Sequence, residues 1–154
     1  MNIITVPEPI SIEKPSVFLA GGITNCPDWQ AELIEMLSAE NLDINVYNPR
    51  REDFDVTDPN ASKIQIEWEF HALNFSTVIS MWFTGGESLQ PICLYELGRH
   101  LATRTSKDFV LGVDDNYKRK EDVYIQTKLV HPELEITNNL EDHKNNILNA
   151  IKRR

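Results

Sequence analysis

An apolar run from Thr77 to Phe83 stops at Thr84-Gly85-Gly86, and a polar loop then leads through Pro91 into a helical pattern from Ile92 to Ala102. A run that is apolar on successive residues and short predicts a strand covered on both faces, as in a parallel sheet. Glycines followed by a proline at the helix start predict a strand-to-helix corner. Such corners, outside the carboxyl ends of the strands, are where open α/β sheets bind ligands. The helix carries one carboxylate, Glu96, among Ile92, Cys93, Leu94, Leu97 and Leu101. With both helix faces apolar the helix is expected to be buried, and an acid inside it needs a reason. Glu96 is expected to face the crevice.

The rest of the chain alternates in the same way. Residues 1–15 hold Pro7, Pro9 and Pro15 among alternating apolar residues, which suits an extended arm. Residues 16–154 then form one domain. Ser16 to Ala20 reads as the first strand and ends at Gly21-Gly22. Trp29, Leu33, Met36 and Leu37 fall on one helical face, and Leu42 to Tyr47 is a second strand ending at Asn48-Pro49. Residues 50–60 read as a loop across the top of the sheet, and Ile66, Phe70 and Leu73 predict the apolar face of the next helix. Strands follow at 77–83, 108–113 and 134–136, with helices at 92–102, 121–130 and 140–151. Strands alternating with helices predict a three-layer α/β fold, flavodoxin-like or Rossmann-like, with about five parallel strands in the order 2-1-3-4-5 and helices on both faces.

That order delivers several loops to one edge: Gly21-Gly22, Gly85-Gly86, Asp114-Asp115, and Asn48-Pro49-Arg50-Arg51. Gly21-Gly22 serves either close approach of a ligand to the backbone or a tight turn. Arg50 and Arg51 serve either to hold a phosphate or as a solvated loop. Glu67 and Glu69 flank Trp68 on the second helix. A pair of carboxyl groups roughly 5 Å apart runs retaining glycosyl chemistry, one attacking the anomeric carbon and the other handling protons; Glu67 reads better as a solvated edge. Trp29 and Trp82 are either core or a surface for stacking a nucleobase. His71 and His100 have no partner spacing that marks a metal ligand and read as surface or supporting residues.

Composition excludes some classes. With 24 acidic and 15 basic residues the chain carries a formal charge of −9. It has no dense basic face to displace counterions, so nucleic-acid polymers and anionic membranes are unsuitable partners. Two cysteines, Cys26 and Cys93, are too few for a disulfide framework or a zinc site and are expected to be reduced. No run reaches the roughly 18 to 20 apolar residues of a membrane span. A cytoplasmic protein is expected.

Four stretches resemble the nucleoside 2-deoxyribosyltransferase superfamily, in particular its deoxyribosyltransferase-like branch: Phe18-Leu19-Ala20-Gly21-Gly22-Ile23-Thr24 with Asp28-Trp29; Asn48-Pro49-Arg50-Arg51; Gln65-Ile66-Glu67-Trp68-Glu69; and Pro91-Ile92-Cys93-Leu94-Tyr95-Glu96-Leu97-Gly98. The resemblance implies that Glu96 is the nucleophile displacing the base from C1′. It implies that Glu69 assists the base or holds the sugar. It also implies a base or phosphate pocket at Gly21, Gly22 and Ile23, with Trp29, Asn48, Arg50, Arg51, Gly85, Ser88 and Gln90 as further substrate-binding positions. No metal or cofactor is implied, and a homodimer or larger homo-oligomer is. The chain departs from the best-known transferases at Gln90, where they carry an aspartate six residues before the nucleophile. Ser88 lies near, but out of register with, the serine that holds the 5′-phosphate in the related nucleotide N-glycosidases. The expected activity is cleavage or transfer at the N-glycosidic bond of a (deoxy)nucleoside or its 5′-monophosphate. The rivals are a hydrolase without transferase activity and a module that binds a nucleotide derivative without chemistry.

Overall fold

In the computed structural model, which describes residues 1–51 and 57–153, strands and helices follow in the order β1 (Asn2–Thr5), β2 (Ser16–Gly21), α1 (Trp29–Ser38), β3 (Asn45–Asn48), α2 (Ala61–Phe75), β4 (Val78–Phe83), α3 (Pro91–Leu101), β5 (Phe109–Val113), α4 (Lys120–Val130), β6 (Ile136–Thr137) and α5 (Leu140–Lys152). Every strand pair is parallel, and the sheet order is β1-β3-β2-β4-β5-β6. Strands β2 to β6 therefore take the expected 2-1-3-4-5 order. The addition is β1: the arm contributes a sixth strand, with Asn2 to Thr5 in register with Asn45 to Asn48. The arm then runs back over the sheet, where the Trp68 indole N–H donates to the Glu8 carbonyl at 2.7 Å and the Tyr47 hydroxyl donates to the Ser11 carbonyl. Of the loop expected over 50–60, residues 52–56 lie outside the described residues.

Alternation along β2 divides the core. Val17 and Leu19 face one layer with Trp29, Leu33 and Leu37 of α1 and Ile147 of α5, whereas Phe18 and Ala20 face the other with α2, α3 and α4. Each layer thus receives the side chains of alternate strand positions, which is why the central strands read as continuous apolar runs. Local signals start the helices: Asp28 Oδ1 accepts the Ala31 N–H at 3.0 Å, and Asn139 Oδ1 accepts the Asp142 N–H at 2.9 Å. Arg104 closes the far end of α2 by donating to the carbonyls of Leu73, Asn74 and Ser76, which satisfies acceptors the helix leaves open.

Two burial expectations change. Helix α2 buries Ala61, Trp68, Ala72 and Leu73, while Ile66 and Phe70 are exposed. Trp68 takes the inner face because its ring packs against Phe18 and Tyr47 and its N–H has a partner in the arm. Helix α3 buries Cys93, Leu97, His100 and Leu101 and leaves Ile92 and Tyr95 in the open. His100, expected at the surface or in support, is a core residue.

The sheet is locked by His143, fully buried on α5. Its Nε2 bonds Ser80 Oγ at 2.8 Å and its Nδ1 bonds Thr137 Oγ1 at 3.2 Å, joining β4, α5 and β6. Burial holds its pKa down at about 3, so the ring is neutral. A side chain at Gly112 would collide with the Trp82 ring and come within 2.7 Å of His143 Nδ1. Gly112→Ala is expected to destabilise the fold by about 1–3 kcal/mol through overpacking, read as a lower midpoint in urea denaturation; an unchanged midpoint would show that the Trp82–His143 contact has slack.

Candidate active site

A cavity of about 470 Å³ opens at the carboxyl end of β2, between α2 and α3. Its wall includes Gly21, Gly22, Ile23 and Thr24 from the β2–α1 loop, Ile66, Glu69 and Phe70 from α2, and Ser88, Gln90, Ile92, Tyr95, Glu96 and Arg99 from the α3 region. Each element arrives for a physical reason. Gly21 takes φ +152°, and a Cβ there would strike the Trp82 carbonyl and come within 2.6 Å of the Trp29 ring. Only glycine allows β2 to end so close to β4.

Gln90 ties the two loops together. Its Oε1 accepts the Gly22 N–H at 3.1 Å, and its Nε2 donates to the Thr84 carbonyl at 2.7 Å. It is buried and sits at φ +47°, left-handed for a residue with a side chain, immediately before Pro91 opens α3. The backbone cost of that conformation is offset by the two buried hydrogen bonds. Ser88 supports the same turn by accepting the Gln90 N–H at 3.3 Å.

Two carboxyl groups meet in this cavity. Glu96 comes from the second turn of α3 and Glu69 from α2, and both are half-buried. Burial first, and then the neighbouring Glu69 carboxylate, push the Glu96 pKa up to about 7, with Arg99 opposing. Burial also raises the Glu69 pKa, opposed by the N–H that Gln65 Nε2 donates to Glu69 Oε1 at 2.7 Å. The same Gln65 nitrogen donates to the Pro49 carbonyl at 2.8 Å, so Glu69 is oriented through the end of β3. Two close acids in a poorly solvated cleft titrate as a pair, and near neutrality the pair keeps one proton. It then offers an anion and a proton donor side by side. Cys93 lines the same wall, but burial, and then Glu96 and Glu69, raise its pKa to about 12, so it is a neutral thiol.

The other positions expected to bind substrate divide. Gly21, Gly22, Ile23, Ser88 and Gln90 reach the cavity with Glu69 and Glu96; Trp29, Asn48, Arg50, Arg51 and Gly85 do not line it. Trp29 is buried and its indole N–H donates to the Gly22 carbonyl at 3.0 Å, so it braces the corner from behind and is closed to stacking. Arg50 is strapped to the β2–α1 loop: it bonds Gln30 Oε1 at 3.0 Å and the Pro27 carbonyl at 2.9 Å, and pairs with Asp28 at 3.2 Å. Asn48 accepts the Arg50 N–H at 3.1 Å. Gly85 packs against Asp114, 2.9 Å from where a Cβ would lie. Glu67 is exposed and pairs with Lys63 at 3.7 Å.

Gln65, Tyr95 and Arg99 belong to the site and were not singled out from the sequence. Gln65 was findable in principle, four residues before Glu69 on a helix and so on the same face. Among the described residues no three His, Cys, Asp or Glu side chains gather as a metal site requires, and no helix is long and apolar enough to cross a membrane.

A family model described as nucleoside 2-deoxyribosyltransferase like matches residues 14–117, more than half of the chain. The match takes in β2 to β5 and every residue lining the cavity. No curated protein sequence matches the chain.

The raised Glu96 pKa has a consequence for stability. Between its ordinary value of 4.5 and about 7 the native state keeps a proton that the unfolded chain has released. Stability therefore falls as pH rises through that window. Glu96→Gln, which mimics the protonated acid, is expected to match the parent near pH 4.5 and to exceed it by about 1–2 kcal/mol at pH 8, after allowance for solvent at the cavity mouth. Denaturant titrations at the two pH values measure this; a constant difference would mean that Glu96 titrates normally.

Proposed function

Because the chain belongs to the nucleoside 2-deoxyribosyltransferase-like family, we propose that its cavity cleaves or transfers the N-glycosidic bond of a (deoxy)nucleoside or its 5′-monophosphate. The observation that carries this reading is the pair of Glu96 and Glu69 in one cavity beside a glycine corner. A carboxylate of Glu96 attacks C1′ as the C1′–N bond breaks through an oxocarbenium-like state. The bonding pair goes to the base nitrogen, which takes a proton from Glu69 or from a water that Glu69 orders. The resulting glycosyl ester on Glu96 is attacked at C1′ by water or a second base, Glu69 receives the proton, and Glu96 leaves as the free carboxylate. The proton that the resting pair carries on Glu96 passes to Glu69 in the reactive form, and an acid pair that shares one proton supplies that arrangement near neutral pH.

Hydrolysis is the favoured second half-reaction on one observation. Both ends of the Gln90 amide are bound to backbone, and Glu69 and Glu96 are the carboxylates among the described residues lining the cavity. Among the described residues, no further carboxylate lines that wall to receive an acceptor base. The exposed apolar rim of Ile66, Phe70, Ile92 and Tyr95 supports assembly with a second copy of the chain over the cavity mouth, which light scattering of the purified protein tests: a monomer at micromolar concentration would oppose it.

The direct test is chromatography of a panel of nucleosides and nucleoside 5′-monophosphates, each with and without free adenine or cytosine. Released base without an acceptor indicates hydrolysis, and an exchanged base indicates transfer. Tight binding with no product would replace the enzyme reading with a sensing one. Glu96→Gln is expected to lower base release by at least about 10³-fold through loss of the nucleophile. Full activity in that variant would sink the assignment.

The pH profile of kcat/KM follows from the pair. Below its lower step both acids are protonated and no nucleophile is available; above about pH 7 both are ionised and the proton for the base is gone. A bell with its alkaline limb near 7 is expected, and Glu69→Gln is expected to remove that limb and lower the maximum about 10²–10⁴-fold.

A further inference from the structure

Among the described residues, the cation in the wall of this cavity has no ion-pair partner, in contrast to many on the surface. Lys14, Lys118, Arg119, Lys120 and Lys144 each sit against a carboxylate. Arg99 is half-buried, lines the same cavity as Glu96 and Glu69, and among the described residues forms no ion pair with either. Its structural partner is an aromatic ring: the guanidinium carbon lies 4.4 Å from the centre of Phe70. A ring occupies one face of a guanidinium and leaves the N–H edges available for a planar, two-point contact with an anion. Arg99 opposes the rise of the Glu96 pKa from a distance, and no carboxylate among the described residues closes on it as an ion pair.

Position along α3 defines what the anion belongs to. Gln90 stands at the start of the helix and Arg99 near its end, roughly 13 Å further along at about 1.5 Å per residue. Glu96 lies between them. A substrate with its reacting carbon at Glu96 therefore reaches toward the polar backbone of the glycine corner in one direction and toward Arg99 in the other. The corner offers hydrogen-bonding groups without a cation, since Arg50 is committed to the carbonyl of Pro27, to Gln30 and to Asp28. An anion beside two carboxyl groups, on a chain of net charge −9, is repelled unless a cation receives it.

We propose that Arg99 is the anion-binding end of the cavity and that it selects a nucleoside phosphomonoester over the free nucleoside. The identity of the rest of the ligand rests on the glycosyl chemistry proposed above; the anion site does not. Phe70 holds the guanidinium in place, and Arg99 grips the phosphate while Glu96 faces the glycosidic carbon.

The test compares the four common deoxynucleoside 5′-monophosphates with the matching deoxynucleosides on the full chain, by turnover and by calorimetric binding, for the parent, Arg99→Gln and Arg99→Lys. The parent is expected to favour monophosphates. Arg99→Gln is expected to weaken monophosphate kcat/KM about 10- to 100-fold more than that of the nucleoside, the range for losing a charge-assisted contact. The loss should fall mainly on KM, and Arg99→Lys should recover part of it. Inorganic phosphate should compete with the monophosphate in the parent and less in Arg99→Gln. An equal loss on both substrate classes, as expected if Arg99 only balances the charge of Glu96, would overturn the proposal, as would a parent indifferent to the phosphate. If no substrate releases its base, the glycosyl reading fails, and binding that depends on both the phosphate and Arg99 still upholds the anion site.

Discussion

The Gln90 carboxamide is the contact on which the site depends. Gly22 follows the end of β2 and Thr84 follows the end of the neighbouring β4; one amide accepts from the first and donates to the second. A carboxylate at this position accepts at both ends and would face the Thr84 carbonyl with no proton to give. A hydrocarbon would leave both backbone groups unpaired in a buried spot. The side chain therefore fixes the separation of two loops and, because Gln90 immediately precedes α3, the angle at which the helix presents Glu96. Around it the supports are arranged in series, with Trp29 on the Gly22 carbonyl and Arg50 on the loop beyond.

Electrostatics in the cavity follows from the same packing. The chain places two acids where water is scarce and gives each one modest compensation, Gln65 for Glu69 and Arg99 for Glu96. Neither is enough to restore ordinary acidity. The destabilisation is local and is the kind of cost that functional sites carry while the surrounding core supplies the stability.

Much of the architecture could be read in advance because its signals are local. Apolar runs ending in glycine marked β2 and β4, and the alternation of elements implied a parallel sheet and its order. Strand β1 was not legible, because Asn2-Ile3-Ile4-Thr5 is short, borders Pro7, and becomes a strand only through the edge that β3 offers. The face of α2 was misread for a related reason: Ile66 and Phe70 have the helical spacing of a core stripe, yet Trp68 takes the interior because the arm provides an acceptor for its N–H. In the site, Glu96, Glu69 and the glycine corner were visible as residue types in telling places. The work of Arg50, Gln65 and Arg99 was not, since one cation is a strap and another lines the cavity, and what separates them is geometry across distant segments.

The position of β1 has a consequence for how the chain assembles. Its four residues precede β2 in the chain, yet their ladder partner, Asn45 to Asn48, lies beyond α1. A parallel edge strand with so distant a partner closes a large loop, and such contacts come late in folding. Val6 and the Trp68–Glu8 bond fasten the arm over the layer formed by α2 and β2. The arm thus acts as a latch on the sheet's edge, and the segment that closes it also covers the Phe18–Trp68 side of the core.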